Sequence, residues 1–184
     1  MRGNLRKLRR YGIAALICIL GQPVLAQRVS VKTNTLYWAG ATPNVGAEFR
    51  LNRHFTLNVE GLFNRVKLGS KINTRVLSVT PEARYWFSIR PQAGHFVGFM
   101  AMATDYDLTL KNKIKKGTAV GAGVTYGYSF VLSKRWSLET TAGLGLLNVR
   151  SKNYDKGTAE PKDVKSSVKF APMKLGVSFV YIIK

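Results

Sequence analysis

The stretch Val120-Gly121-Ala122-Gly123-Val124-Thr125-Tyr126-Gly127-Tyr128-Ser129-Phe130-Val131-Leu132 alternates along its length. Its even positions are apolar or aromatic, and its odd positions, apart from Val131, are Gly, Thr or Ser. A helix repeats its large residues every three or four positions, whereas successive side chains of a strand point to opposite faces. The spacing therefore predicts a strand with one greasy face and one face of small or polar side chains.

The same period of two continues on both sides. It predicts strands over Val29–Ala39, Val45–Leu51, Phe55–Phe63, Leu77–Phe87, His95–Thr104, Trp136–Leu147 and Met173–Ile183. His95–Thr104 is apolar on both faces and alternates least. With Val120–Leu132 these make eight segments, most of them near the roughly ten residues that a tilted membrane strand needs. The connections after the second, fourth and sixth are compact: Asn52-Arg53-His54, Ser88 to Gly94, and Ser133-Lys134-Arg135. Those after the third, fifth and seventh are longer, about Asn64 to Arg75, Asp105 to Gly117 and Asn148 to Lys169; only the first, Gly40 to Asn44, is short against this rhythm. Short turns at one end and long loops at the other are the pattern of an up-and-down barrel in an outer membrane, both termini periplasmic.

A soluble barrel would show the same alternation, so the polar face has to decide. It carries Lys32, Glu48, Arg50, Glu60, Glu82, Arg84, Glu139 and Lys174, separated mainly by Gly, Ser, Thr and Asn. Few long solvated side chains stand there, unlike a wet surface. Small residues suit the narrow interior of an eight-stranded barrel, and the four acids and four bases are expected to pair inside it as a structural ion network. Phe55, Tyr85, Phe87, Phe96, Phe130, Trp136 and Tyr181 cluster towards the short turns, as an interfacial aromatic girdle would. Pro81 removes a ladder hydrogen bond and predicts a bulge or kink in its strand.

The chain has 184 residues and a formal net charge of +20. Residues 1–26 read as a cleaved signal peptide: Arg2, Arg6, Lys7, Arg9 and Arg10, then apolar Ile13 to Leu20, then a cut after Val24-Leu25-Ala26. The apolar run is too short for a spanning helix, which takes about 20 residues. Cleavage leaves a barrel domain over residues 27–184 and removes Cys18, the only cysteine, so thiol chemistry and disulfides are not expected.

Several blocks carry a resemblance: Val31-Lys32-Thr33-Asn34-Thr35-Leu36-Tyr37-Trp38, Ala41-Thr42-Pro43-Asn44-Val45-Gly46, Thr80-Pro81-Glu82-Ala83-Arg84-Tyr85-Trp86, Gly94-His95-Phe96, Lys134-Arg135-Trp136-Ser137-Leu138-Glu139 and the closing Gly176 to Lys184. In this order they resemble a Bacteroidetes family of short outer-membrane β-barrel proteins defined as a domain of unknown function, over essentially the whole chain after the leader. The resemblance implies a barrel in the outer membrane of a Gram-negative bacterium. Some members are found near fimbrial genes, which implies a surface role. It supplies no catalytic residues. The final Lys184 departs from the commoner barrel ending in an aromatic residue.

Sites for chemistry are sparse. His54 and His95 both fall near the short-turn end, away from Asp105 and Asp107, so a Ser/His/Asp site at the outer rim lacks its base. No spacing of His, Cys and Asp suggests a metal. Gly143-Leu144-Gly145 lacks the third glycine of a dinucleotide fingerprint and sits inside a strand. No cofactor is expected, and the chain is not read as an enzyme.

The predicted outer loops are basic: Arg65, Lys67, Lys71 and Arg75 in the first long one, and Lys111, Lys113, Lys115 and Lys116 in the next. Export argues against nucleic acid. Outer-membrane lipid including lipopolysaccharide, an anionic surface polymer or a fimbrial protein are the expected partners. The function expected is structural or surface interaction, with the lumen plugged by polar side chains. A small-ligand or transport barrel is the alternative, and a lipid-modifying enzyme the third.

Overall fold

The computed structural model describes residues 28–68, 72–90, 92–110, 113–155 and 163–183. The expected signal peptide, Lys71 and Lys111 lie outside them, as do the side chains of Lys67, Lys113 and Lys115. The elements are β1 (Val29–Asn34), α1 (Thr35–Ala39), β2 (Asn44–Arg50), β3 (Phe55–Leu68), β4 (Ile72–Trp86), β5 (Gly94–Leu110), β6 (Lys113–Val131), β7 (Trp136–Asp155) and β8 (Asp163–Ile182). Each strand pairs antiparallel with its neighbours in sequence, and β1 pairs with β8, so the sheet is a closed eight-stranded barrel. Closure satisfies the ladder groups that an open edge would leave unpaired.

The alternation sorts side chains by face. Val124, Phe99 and Leu175 stand on the exterior, 63%, 62% and 65% exposed, and Phe55, Tyr126, Phe130 and Leu144 stand there too. Lys32, Glu48, Glu82, Arg84 and Glu139 are buried in the lumen. The polarity is inverted relative to a water-soluble barrel, whose apolar face turns inward.

The compact turns gather at one end, with the start of β1 and the end of β8. Two of them share a design. Asn52 Oδ1 accepts from the backbone N–H groups of His54 and Phe55 at 2.9 and 2.8 Å. Ser133 Oγ accepts from Arg135 and Trp136 at 3.4 and 3.2 Å. A short polar side chain, second in each four-residue connection, satisfies the turn's donors in both.

At the far end the structure corrects the predicted boundaries. β1 stops at Asn34 rather than Ala39. Asn34 Oδ1 accepts from Leu36 N–H at 3.1 Å as the N-cap of α1, while Asn44 bonds both backbone groups of Asn34 through its side-chain amide. The first far-end connection is thus Thr35 to Pro43, longer than expected, while the expected rhythm of short turns and long loops does not hold: three residues lie between β3 and β4, and two between β5 and β6. The three long loops are largely strand. β3 and β4 pair out to Leu68 and Ile72, β5 and β6 to Leu110 and Lys113, and β7 and β8 to Asn153 and Asp163. Arg65, Lys67, Arg75, Lys113, Lys115 and Lys116 therefore sit on strands. The ladder is made of backbone bonds and continues where the outward side chains stop being apolar, which is where alternation loses its signal.

Pro81 causes no register shift. It sits opposite Val59, and β4 keeps one register against β5 on either side of Thr80 and Pro81, where bridges are missing. The bulge lies instead beside Pro172: Leu144 pairs with Pro172 but Gly143 with Lys174, leaving Met173 as the extra residue. Strict alternation over Met173–Ile183 would put Met173 on the apolar face with Leu175; the bulge turns it inward, so Met173 and Lys174 are both buried.

Candidate functional site

The densest concentration of charge is inside the barrel. Lys32 Nζ lies 2.5 Å from Glu48 and 3.1 Å from Glu139. Arg84 Nη1 lies 3.1 Å from Glu48 and 3.0 Å from Glu139, and Nη2 lies 2.8 Å from Glu82. Lys174 Nζ bridges Glu60 at 2.7 Å and Glu82 at 2.9 Å. These residues come from β1, β2, β3, β4, β7 and β8, so one network ties six strands across the lumen.

Neutral donors complete it. Thr56 donates to Glu48 at 2.6 Å and Thr125, on β6, to Glu82 at 2.5 Å. Asn58 donates to Glu60 and Glu82 at 2.8 and 3.1 Å. Two glycines make room. A Cβ on Gly98 would stand 2.8 Å from a Glu82 oxygen, and one on Gly46 within 2.9 Å of the stems of both Glu60 and Lys32. Buried ions are tolerated only when paired and hydrogen-bonded, and here the carboxylates face both cations and neutral donors.

Seven of the eight residues expected in this network are in it. Arg50 is not: its Nε donates to the carbonyl of Asn52 at 3.1 Å, beside the exposed turn. Arg50 is the last residue of β2, and the strand end carries it past the lumen to the mouth, near Arg28 and Arg90. The network therefore joins four carboxylates to three bases rather than balancing four against four.

Below it, towards the turn end, lies a layer the sequence reading missed. Trp86 and Phe96 are fully buried, their ring centroids 4.7 Å apart, and the Arg84 guanidinium carbon sits 4.4 Å from the centre of the Phe96 ring. Trp86 donates from Nε1 to Thr56 at 2.9 Å. Phe96 thus belongs to the interior and not to the girdle in which it was expected. The signal was available in both cases: Trp86 shares the parity of Glu82 and Arg84, and the weak alternation of β5 reflects Phe96 and Met100 filling the lumen opposite its exterior residues. Gln92 gave no such signal. It sits in the turn before β5 with φ of 64°, is buried, donates to Ser30 at 2.6 Å and accepts from Ser129 through its carbonyl at 3.0 Å. It closes the mouth beneath the aromatic pair.

The cavity on the far side of the network, lined by Tyr37, Asn44, Glu60, Met100, Met102 and Met173 among others, has a volume of about 40 Å³. The much larger depression of about 720 Å³ is an apolar groove on the exterior, between Phe55 and Tyr85 on one side and Val124 and Leu144 on the other. Both histidines are held in local contacts at the turn end. His54 Nδ1 is 3.0 Å from the carbonyl of Trp86, and His95 Nδ1 is 2.6 Å from the Tyr126 hydroxyl.

Arg65, Arg75 and Lys116 are exposed on the far-end strands, and Lys116 pairs with Asp107 at 3.0 Å. None of the three joins the lumen network.

Fold and interior together define the class: a small closed β-barrel with an apolar exterior and a charged, hydrogen-bonded interior. The chain matches the family described as protein of unknown function (DUF3575) over residues 12–183 and belongs to it. Comparison with curated proteins and with solved structures finds no match.

Proposed function

We propose that the protein is an outer-membrane barrel of a Gram-negative bacterium, with both termini periplasmic and a structural or surface-interaction role in which its basic outer strands engage anionic lipid, a surface polymer or a fimbrial partner. The observation that carries this reading is the inversion of polarity. Side chains such as Phe99, Val124, Leu144 and Leu175 are exposed around the exterior, while lysines, glutamates and an arginine are buried within. In water such a surface would aggregate. In a bilayer it is the expected exterior, and a closed barrel leaves no strand edge to the lipid. Trp136, Tyr181, Tyr85 and Tyr126 at the turn end supply the amphipathic rings found at a membrane interface.

The plugged lumen favours this role over transport. Arg84, Trp86, Phe96 and the glutamates around them occupy its width, and a cavity of about 40 Å³ has room for little more than a water molecule or an ion. Two measurements test the proposal. After membrane fractionation, unboiled protein should migrate faster on a denaturing gel than boiled protein; recovery in the soluble periplasm with no shift would overturn it. In planar bilayers the barrel should give no steady conductance, and regular openings would move the function to transport.

A further inference from the structure

The register places the far-end charges in one transverse row. Arg65 on β3 is opposite Arg75 on β4, Arg75 is opposite Asp107 on β5, Asp107 opposite Lys116 on β6, and Lys116 opposite Lys152 on β7. These positions share the parity of the exterior face. Two residues nearer the turn end, the next exterior row contains Phe63, Leu77, Asp105, Thr118 and Arg150. The row after that contains Val79, Ala103 and Val120. Same-face rows of a strand lie about 7 Å apart. On β3 and β4 the row therefore borders apolar residues directly, with Phe63 and Leu77 46% and 47% exposed just below Arg65 and Arg75, whereas on β5, β6 and β7 the next row is polar.

The pairing within the row is unusual. Like charges directly opposite each other on neighbouring strands repel, yet Arg65 and Arg75, both exposed, stand directly opposite each other. Among the described residues neither Arg65 nor Arg75 forms an ion pair, and Asp107, the acid in the row, is taken by Lys116. An anion seated between Arg65 and Arg75 would turn that repulsion into two charge-assisted contacts, and a guanidinium pair suits the several oxygens of a phosphate.

Resting on the membrane reading above, we infer that the Arg65–Arg75 pair is a binding site for a phosphate group of an outer-leaflet lipid, with Lys116 and Arg150 as further cations along the same face. Position selects the lipid over a soluble polymer. The side chains point sideways from the barrel wall, immediately above exposed apolar residues, and do not rise from loop tips into the medium. A ligand that satisfies both the arginines and the adjoining Phe63–Leu77 surface carries phosphate and acyl chain together.

The test uses the folded barrel in detergent micelles, titrated with diphosphorylated lipid A, with lipid A stripped of its phosphates, with inorganic phosphate and with a soluble polyphosphate. Diphosphorylated lipid A should bind most tightly. Arg65→Ser/Arg75→Ser should weaken it roughly 30-fold, from the usual contribution of two basic residues near an anionic membrane surface. Lys134→Ser/Arg135→Ser removes the same charge at the opposite end and should stay within about twofold of the parent. Equal losses in the two double variants, equal affinity for the dephosphorylated lipid, or tighter binding of polyphosphate or free phosphate would each overturn the inference. In a parallel reconstitution, protein that fails to insert into lipid vesicles overturns the membrane reading and this one with it. Protein that inserts but fails the titration overturns this one alone.

Discussion

At the turn end of the barrel, Gln92, the Trp86–Phe96 pair and the ion network fill the lumen layer upon layer, and the hairpins are closed by side chains such as Asn52 and Ser133. At the far end, β6, β7 and β8 run to 19, 20 and 20 residues, with Lys116, Asn148, Arg150 and Ser166 exposed beside Val168 and Phe170. About ten residues suffice to cross a membrane, so close to half of each of these strands lies beyond what spanning requires. The difference separates the part of the fold held by side chains from the part held by the backbone ladder. The turn end is held by side-chain interactions that depend on one another, while the far end is held mainly by the backbone ladder. The predictions therefore run from the turn end outward.

Arg84→Ala should be the most damaging substitution. It leaves Glu48, Glu82 and Glu139 without their shared cation in a buried setting and should cost on the order of 3–5 kcal/mol, seen as a lowered urea midpoint for the vesicle-reconstituted barrel. Stability like the parent's would mean that the lumen is wet enough to solvate the carboxylates. Trp86→Ala removes the indole packed at a tilt against Phe96 and its bond to Thr56, at a cost of about 3–4 kcal/mol, and should also admit small ions at the turn-end mouth. Gly98→Val forces a branched side chain against Glu82 and Thr125 and should cost about 1–3 kcal/mol; a neutral outcome would show that Glu82 can swing aside. Asn52→Ala loses two side-chain bonds in a turn and should cost about 1 kcal/mol. Arg75→Ser, at the far end, should leave the urea midpoint within about 0.5 kcal/mol of the parent. A large destabilisation there would break the contrast between the two ends.

The contrast also explains what could be read in the sequence. The barrel, its strand count and seven of the eight lumen charges were legible, because where one face is apolar and the other buried and polar every residue reports its side. Strand lengths were not legible. Beyond Phe63, Asp105, Asn148 and Val168 both faces become mixed, and a ladder of backbone bonds leaves no trace in side-chain pattern. The bulge at Met173 was hidden for a related reason: Pro81 and Pro172 both lack a donor, and the sequence does not say which one will shift the register. Gln92 could not have been found, since a polar residue in a turn ordinarily faces solvent. Arg50 misled by parity alone, as the end of β2 places it at the mouth.

The central claim is that the apolar exterior faces lipid. Single cysteines at Val124 and Leu144 on the exterior, in a chain carrying Cys18→Ser, can be labelled with an environment-sensitive fluorophore and placed in vesicles of brominated lipid. The account predicts blue-shifted emission strongly quenched by the bromines at both positions. Water-like emission that brominated lipid leaves unchanged would contradict it.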